Sequence, residues 1–494
     1  MGRGDEYGYL LNYRPYYANG SHNGAYFGDN MFRAALQYEP VADDRFIIDT
    51  TFKLRELNGS ESGDYSEDAH LGSARLGYHH RFSTNLKFLM QGEYARDSEQ
   101  TSEDVGRLVG VDIPGIPAPL DVEGYLNENA KQRVARSSLS NQLIYSSHYI
   151  DSVSGIDGIY VDSSRREDSL VYELEDIPPP DTLVSSSAGN LSSGEVYEYL
   201  SLKAPRIATL TLGVSATHLE RDLTEIPPFL DGTDTINKVD PKIGLVMTPT
   251  TWMTGRLAYF ETTNKTVLED LSSLEPTLVG GINQRFNDLS GAQSRNLGLG
   301  LDLKDPNVIY AGAQYTRRHI TDSYGAVQEM VSYDGESTTQ LPSQSYGIQD
   351  SHSKADILRG YIYTVLSESS VLTADSLYER FTETDDELLN NEYIDGAIST
   401  QRYRFGYRYF IGKHFSVSTQ ATYRDQQLLQ TDDPNGFWLF DLGTSYRFSE
   451  QHGRIFARID NLLDRDFTYN QGRGIEPEVY QGRSFVLGIT YNFF

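Results

Sequence analysis

Residues 402–424, RYRFGYRYFIGKHFSVSTQATYR, decide the fold because they alternate strictly in character. Successive side chains of a β-strand point to opposite faces, so every second residue shares a face. One face of the first strand is aromatic and consists of Tyr403, Phe405, Tyr407 and Tyr409. The other face is basic and consists of Arg402, Arg404, Gly406 and Arg408. Gly412-Lys413 predicts a tight hairpin turn, after which the alternation resumes and ends at Arg424.

The three arginines of the basic face exclude a stacked β-sandwich. Each unpaired charge buried in an apolar core would cost several kcal/mol. A polar lumen filled with water accommodates these arginines, while the aromatic face contacts lipid. The hairpin therefore predicts an all-β fold, namely a transmembrane antiparallel up-and-down β-barrel.

The same period of two recurs along the chain, for example at Leu297, Leu299, Leu301 and Leu303. Short connections are predicted near residues 40–44, 83–85, 204–205, 249–251, 305–306, 368–369, 412–413 and 451–453. Long connections are predicted near residues 18–31, 56–71, 97–133, 163–193, 221–236, 264–293, 319–352, 383–397 and 464–482. This alternation is typical of outer-membrane barrels with short periplasmic turns and long extracellular loops. We expect about 20 strands (range roughly 18–22) in a single barrel domain over residues 1–494, with 134–162 the least regular hairpin.

The composition agrees with a barrel and restricts the function. The chain has no cysteine and a mean hydropathy of −0.48, and no apolar window is long enough for a membrane helix. Its 35 tyrosines predict aromatic girdles at the membrane interfaces, although an aromatic-rich soluble β-protein would share this count. The net charge of −28 argues against a nucleic-acid partner. Acidic residues at 97–104 and 382–387 are interpreted as solvated loop charge or as cation-mediated contacts with lipopolysaccharide.

The sequence carries no recognisable catalytic, phosphate-binding or metal-binding motif. His79 and His80 would point to opposite faces of a strand, and Asp385-Asp386-Glu387 lacks the spacing of a calcium loop. We therefore expect no enzymatic activity, no cofactor and no metal site. The proline-rich segments 109–120 and 176–181 are interpreted either as stiffened loops or as contacts for a ligand or partner.

The carboxyl-terminal segment resembles the end of TonB-dependent outer-membrane receptors. The residues that carry this resemblance are Arg458-Ile459-Asp460-Asn461-Leu462-Leu463-Asp464 and Gly482-Arg483-Ser484. Residues 33–44 resemble an early strand and turn of the same family. The closing strand predicts an outward apolar face formed by Phe485, Leu487, Ile489, Tyr491 and Phe493, with Phe494 as one additional residue. Such a strand resembles the signal that the barrel-assembly machinery reads.

The resemblance implies an outer-membrane transport barrel of the Gram-negative type, embedded in lipid and lipopolysaccharide. Its ligand would be anionic and siderophore-like, and would pass a positive inner stripe formed by Arg402, Arg404, Arg408 and Arg424. Alternatively, these arginines serve only to pair with lumen acids such as Asp302 and Asp375. A periplasmic energising or export partner is also implied.

Family members carry an amino-terminal plug domain, whereas barrel-type strands begin here by about residues 8–17. We therefore expect a plug or other amino-terminal domain to be absent from this chain. Two other functions stay open. One is an export or assembly barrel of a longer protein with periplasmic helical repeats, and the other is a surface adhesin or phage receptor.

Overall fold

The computed structural model describes residues 2–3, 7–19, 26–59, 65–111, 120–172, 183–226, 231–265, 274–284, 291–305, 308–329, 344–383, 397–428, 436–448, 453–465, 467–469, 478–480 and 482–491. One sheet of 21 strands dominates this part of the chain. One member, Gly2–Arg3, is a two-residue piece that pairs alongside the first long strand. The remaining twenty strands form the barrel wall.

The barrel strands are numbered here in chain order. The first ten are β1 (Tyr7–Asn19), β2 (Tyr26–Val41), β3 (Asp44–Gly59), β4 (Tyr65–Arg81), β5 (Leu86–Val111), β6 (Leu120–Ser146), β7 (Ile150–Tyr172), β8 (Leu183–Ala204), β9 (Ala208–Ile226) and β10 (Asp231–Thr250). The others are β11 (Met253–Thr263), β12 (Gln293–Lys304), β13 (Ile309–Glu329), β14 (Gln344–Ser367), β15 (Ser370–Glu383), β16 (Ala397–Ile411), β17 (Phe415–Leu428), β18 (Phe437–Arg447), β19 (Gly453–Asp460) and β20 (Ser484–Tyr491).

The barrel closes between its first and last strands. Each strand pairs antiparallel with its neighbours in chain order, and β20 pairs with β19 from Asp460↔Ser484 onward. The other edge of β20 meets β1 at Tyr17↔Phe485. The predicted up-and-down antiparallel barrel and its strand number are therefore confirmed.

The connections are short at one end of the barrel, as predicted. They include residues 42–43, 82–85, 205–207, 251–252, 368–369 and 412–414. One further tight turn, at residues 147–149, separates β6 from β7 and lies within the hairpin predicted over residues 134–162. The sequence did not predict the connection between β17 and β18 at the opposite end.

Several predicted loops were wrong because the strands continue through them. β5 and β6 pair without interruption from Leu86↔Tyr145 to Val111↔Leu120, so the acidic segment 97–104 is strand rather than loop. About 9–11 residues suffice to cross a membrane, so this hairpin extends beyond the bilayer. Outside lipid, both faces of a strand are polar and the period of two disappears, which made these strands resemble loops.

The outward faces agree with lipid contact. Leu297, Leu299 and Leu301 are 43%, 47% and 43% exposed, while Asn296, which directly precedes them, is buried on the inner side. On β20, Phe485, Leu487 and Ile489 are exposed and Val486 is buried. Among the described residues, no helix has the length and apolar character needed to span a membrane.

Candidate functional site

The wall formed by β15, β16 and β17 brings together three of the four predicted arginines. Arg402 lies directly opposite Arg424, and Arg404 lies between Asp375 and Thr422 in the strand register. A guanidinium nitrogen of Arg402 is 3.7 Å from a carboxylate oxygen of Asp375. The buried Nε atom of Arg404 has no hydrogen-bond partner among the described residues. Arg402, Arg404 and Arg424 thus lie side by side next to Asp375, and we call this patch the arginine wall.

Arg408 lies apart from the arginine wall, closer to the short turns. It lines a cavity of about 400 Å³ whose other charged members are Asp441, Arg458 and Asp460. Arg458 is 2.7 Å from Asp460, so much of the charge in this cavity is already paired. Asp302, the other acid named from the sequence, pairs instead with Arg256 at 2.8 Å.

Residues 274–284, which belong to the connection between β11 and β12, fold into the lumen, whereas the sequence predicted this connection as an extracellular loop. Backbone hydrogen bonds from Asn264 to Ala292 and from Gly291 to Asn264, both 2.8 Å, close its neck. Leu278–Val279 then pairs with Ile282–Asn283. The turn residues Gly280 and Gly281 have φ angles of +55° and +73°, as hairpin turns with two positive φ angles require. We call residues 274–284 the inner hairpin.

The inner hairpin sits directly on the backbone of the barrel wall at glycine positions. A Cβ atom added to Gly244 of β10 would lie 2.3 Å from the backbone nitrogen of Gly280. A Cβ atom added to Gly298 of β12 would lie 2.7 Å from Cγ2 of Ile282. Any larger side chain at either wall position would displace the hairpin, so the wall is shaped to receive it.

Apolar contacts hold the inner hairpin against the wall. Val279 and Ile282 are fully buried, and they pack in one cluster with Tyr197, Tyr199, Ala258 and Phe260. Burial of each aliphatic side chain of this size contributes about 1.5–3 kcal/mol. The aromatic residues face inward, and the hairpin covers them.

A buried network of charges adds a second anchor. The ammonium group of Lys265 is 3.3 Å from Glu275 and 3.6 Å from Asp157, and it also pairs with Glu195. Lys242 of β10 is 3.4 Å from Glu275, and both side chains are only 1% exposed. Removing one partner from such a buried network costs about 3–5 kcal/mol, because the others keep their charge without compensation.

Side chains of the wall form hydrogen bonds with polar groups of the inner hairpin within the lumen. The hydroxyl group of Tyr199 donates to Glu275 at 2.7 Å. Gln142 of β6 donates to the carbonyl oxygen of Leu274 at 2.6 Å. Arg256 of β11 donates to the carbonyl oxygen of Gly281 at 2.9 Å. Side chains from three strands of the wall thus bind the hairpin.

Glu275 lies in the connection, outside the membrane-spanning strands. Burial opposes ionisation of its carboxyl group, but Lys265 and Lys242 outweigh burial and lower its pKa. The carboxylate therefore stays ionised at neutral pH and keeps its pairs with both lysines.

The inner face is less polar than the sequence suggested. Six inward residues of β6 to β10 form a buried apolar cluster, namely Val134, Ile159, Val161, Leu191, Leu219 and Ile236. Inward apolar side chains with inward glycines on neighbouring strands could have indicated a segment folded into the lumen. The described residues contain no group of three histidine, aspartate or glutamate side chains that could hold a metal ion.

The motif near the carboxyl terminus closes the last long connection. The side chain of Asn461 donates to the carbonyl oxygen of Arg465 at 2.7 Å, and the Arg465 N–H donates back to Asn461 at 3.0 Å. The carboxylate of Asp464 accepts a hydrogen bond from the Arg483 backbone N–H at 2.6 Å. Asn461 and Asp464 have φ angles of +50° and +56°, which asparagine and aspartate tolerate better than most residues. The motif thus joins the two ends of this connection.

Some predicted residues fall outside the described part of the chain. Phe493, Phe494 and the proline-rich residues 112–119 and 176–181 belong to this group, as do Asp385-Asp386-Glu387. Tyr491 ends β20, and only its backbone is described.

Comparison with known proteins identifies similar sequences and folds. A family model described as TonB dependent receptor-like, beta-barrel, matches residues 2–462. The ferric-catecholate import receptor Fiu of E. coli K12 has a TM-score of 0.67 and 10% identity, over 100% of this chain and 78% of Fiu.

Two further structures give similar values. The copper transporter OprC has a TM-score of 0.66 and 15% identity, over 99% of this chain and 81% of OprC. The ferric citrate transporter FecA has a TM-score of 0.64 and 13% identity, over 100% of this chain and 74% of FecA. At these identities the structural similarity concerns the fold alone. The search of curated proteins found no match.

Proposed function

The chain belongs to the TonB-dependent receptor β-barrel family of the Gram-negative outer membrane, and from this premise we propose that it transports an anionic ligand through its lumen. The ligand class would be a carboxylate or catecholate iron chelate. Fiu and FecA are described as receptors for ferric catecholate and ferric citrate, and the metal complexes of such ligands carry negative charge.

The arginine wall is the observation that carries this proposal. Arg402 and Arg424 lie opposite each other, and Arg404 lies one inward position further along β16. Arg402 is 3.7 Å from Asp375, too far for a hydrogen bond, so its guanidinium group can still donate to a passing anion. Guanidinium groups bind carboxylates with directed, charge-assisted hydrogen bonds, which favours such a ligand over a neutral one.

The proposal implies a set of partners. Lipid and lipopolysaccharide would contact the outward apolar faces, and the barrel-assembly machinery would insert the chain. A periplasmic energising protein would act on the assembled receptor. The proposal involves no catalytic step, no cofactor and no nucleic acid.

Uptake into proteoliposomes tests the proposal. Purified chain is reconstituted around an entrapped iron-sensitive fluorophore, and ferric citrate is added outside. We expect quenching above that of empty vesicles, and slower quenching with the double variant Arg402→Ala/Arg404→Ala. Arg317→Ala is the matched control, because Arg317 lies on the outer face and pairs with Asp356 at 2.7 Å. Equal rates for wild type and the double variant would overturn the proposal.

The length of the β5–β6 hairpin favours surface recognition as a second candidate function. Its strands span 26 and 27 residues, and they pair up to Val111↔Leu120. A projecting hairpin of this length presents a large surface to other cells or to phage. Shortening it by removing residues 103–128 would abolish such binding and leave ferric citrate uptake intact. Binding that survives the deletion would contradict this second function.

A further inference from the structure

We propose that the inner hairpin is a fixed constriction that sets the size limit of solutes crossing the lumen. This inference rests on the proposed function, since it assumes that solutes pass through the barrel. It concerns the size of the passage, whereas the arginine wall concerns the charge of the ligand.

The depth of the hairpin supports a constriction. The chain leaves the wall after Thr263, at the end of β11 where the long connections lie. Its turn then descends to the level of Leu257, where a Cβ atom on Gly280 would lie 2.6 Å from the Leu257 carbonyl oxygen. At about 3.3 Å per residue, this descent is roughly 20 Å along the strand, which for a strand tilted by roughly 45° is about 14 Å of depth in a hydrocarbon layer of about 30 Å. The hairpin therefore reaches about halfway through the lumen on its side.

The anchors of the hairpin support a permanent position rather than a mobile gate. It is held from β6 by Gln142, from β8 by Tyr199 and from β10 by Lys242. The side chains of its charged contacts are at most 5% exposed, so water does not compete for them. The space beside Gly244 and Gly298 is filled by Gly280 and Ile282 only while the hairpin lies against the wall.

The position of the hairpin leaves a defined path for solutes. Its contacts lie on β6 to β12, whereas the arginine wall stands on β15 to β17. A solute would pass with the hairpin on one side and the arginine wall on another. The width of the path is then set by the hairpin and its charge preference by the arginines. We therefore expect small anionic chelates to pass and larger solutes of the same charge to be excluded.

A reversible cross-link provides the test. The chain has no cysteine, so Ile282→Cys/Gly298→Cys introduces the only thiols. A Cβ atom on Gly298 would lie 3.3 Å from Cβ of Ile282, close to the separation of about 3.5–4.5 Å found in disulfides. Adding Glu275→Lys places a third cation beside Lys242 and Lys265 and should release the hairpin when the disulfide is reduced.

Conductance and polymer exclusion are measured in planar bilayers, in oxidised and reduced states of the same protein. We expect the cysteine pair alone to form the disulfide and, when oxidised, to conduct like wild type. With Glu275→Lys added, reduction should raise conductance several-fold and admit larger polyethylene glycols, and oxidation should restore both values.

The matched control is Glu93→Lys in the same cysteine background. Glu93 is also a buried lumen acid, 3.0 Å from Arg75 of β4, and it lies on β5, outside the strands that contribute the hairpin contacts described above. This variant should conduct like the cysteine pair alone in both states. Heat-modifiable migration on gels shows whether each variant is folded. The oxidised form of each variant shows the effect of its lysine substitution on the barrel while the hairpin stays cross-linked.

Two results would overturn the constriction. The first is failure of the cysteine pair to cross-link in the membrane, because the hairpin would then not be seated. The second is an unchanged exclusion limit when the folded Glu275→Lys variant is reduced. Ferric citrate uptake is read separately, so its failure would reject the proposed ligand and leave the constriction in place.

Discussion

Gly244 of β10 and Gly280 of the inner hairpin are so close that a Cβ atom on Gly244 would lie 2.3 Å from the Gly280 backbone nitrogen. Two backbones meet here without an intervening side chain, which only glycine permits. This contact fixes the hairpin on the wall and explains why a glycine stands at an inward strand position.

Gly244→Ala should therefore destabilise the seated hairpin by about 1–3 kcal/mol, the usual cost of overpacking a tight site. Thermal unfolding and bilayer conductance measure the two consequences, a lower melting temperature and a larger pore. Gly194→Ala on β8 is the matched control, because a Cβ atom there meets nothing within 4 Å. Equal behaviour of the two alanine variants would contradict the close contact.

The charge network predicts that the constriction opens only in acid. The pKa of Glu275 lies below its ordinary value of 4.5, because Lys265 and Lys242 outweigh the effect of burial. A depressed pKa in the folded state gives stability that is present above the unfolded value and lost as the pH falls through the folded value. Conductance should stay constant from about pH 8 to pH 5 and rise only below about pH 4.5.

Other titratable side chains lie in or beside this network, namely Lys242, Lys265, Asp157, Glu195, Asp240, Tyr197 and Tyr199, so the acid step is tested with a variant. Glu275→Gln removes the carboxyl group of the hairpin and should abolish the step while raising conductance at neutral pH. An acid step of unchanged size in this variant would contradict the role of Glu275.

Two features of Asn461 should affect stability separately, namely its side-chain hydrogen bonds to Arg465 and its positive φ angle. Asn461→Gly keeps a residue that tolerates the φ angle of +50° but loses both hydrogen bonds to Arg465, which should cost about 1–2 kcal/mol. Asn461→Ala loses the same hydrogen bonds and adds backbone strain, so it should be the less stable variant. Urea unfolding of folded barrels measures the order. A glycine variant less stable than the alanine variant would contradict the assigned strain.

A new positive charge should cost more folding free energy on the lipid-facing side of the wall than on the lumen side. Phe405 is 48% exposed toward lipid, so Phe405→Lys should cost about 2–4 kcal/mol near the membrane midplane. The control is Gln420→Lys on β17, which places its charge in the lumen beside Asp441, the carboxylate that Gln420 contacts at 3.1 Å. Folding yield and unfolding free energy in lipid vesicles compare them. Equal costs would mean that the inner and outer faces are wrongly assigned.

The sequence predicted the barrel well where one face meets lipid and the other meets water. Leu297 to Leu303 and Phe485 to Ile489 show this, because alternating hydrophobicity is imposed by the membrane itself. The prediction was wrong at residues 97–104, where β5 continues beyond the length that crosses a membrane and its sequence no longer alternates.

The candidate site was predicted only in part. The arginines of β16 and β17 could be placed together, because the Gly412-Lys413 turn fixes their register. The inner hairpin could not be predicted, because its contacts join Glu275 to Lys242 and Tyr199, which are distant in sequence and carry no shared motif. The inward glycines and aromatic residues of the wall were the sequence features that could have indicated the inner hairpin.

The central claim, that anions pass the arginine wall, is tested most directly by reversal potentials in planar bilayers under a potassium chloride gradient. The measurement compares wild type with Arg402→Ala/Arg404→Ala, and Arg317→Ala on the outer face serves as control. We expect the chloride-to-potassium permeability ratio to fall in the double variant, which lacks two of the arginines, and to stay at the wild-type value in the control. An unchanged ratio in a correctly folded double variant would contradict it.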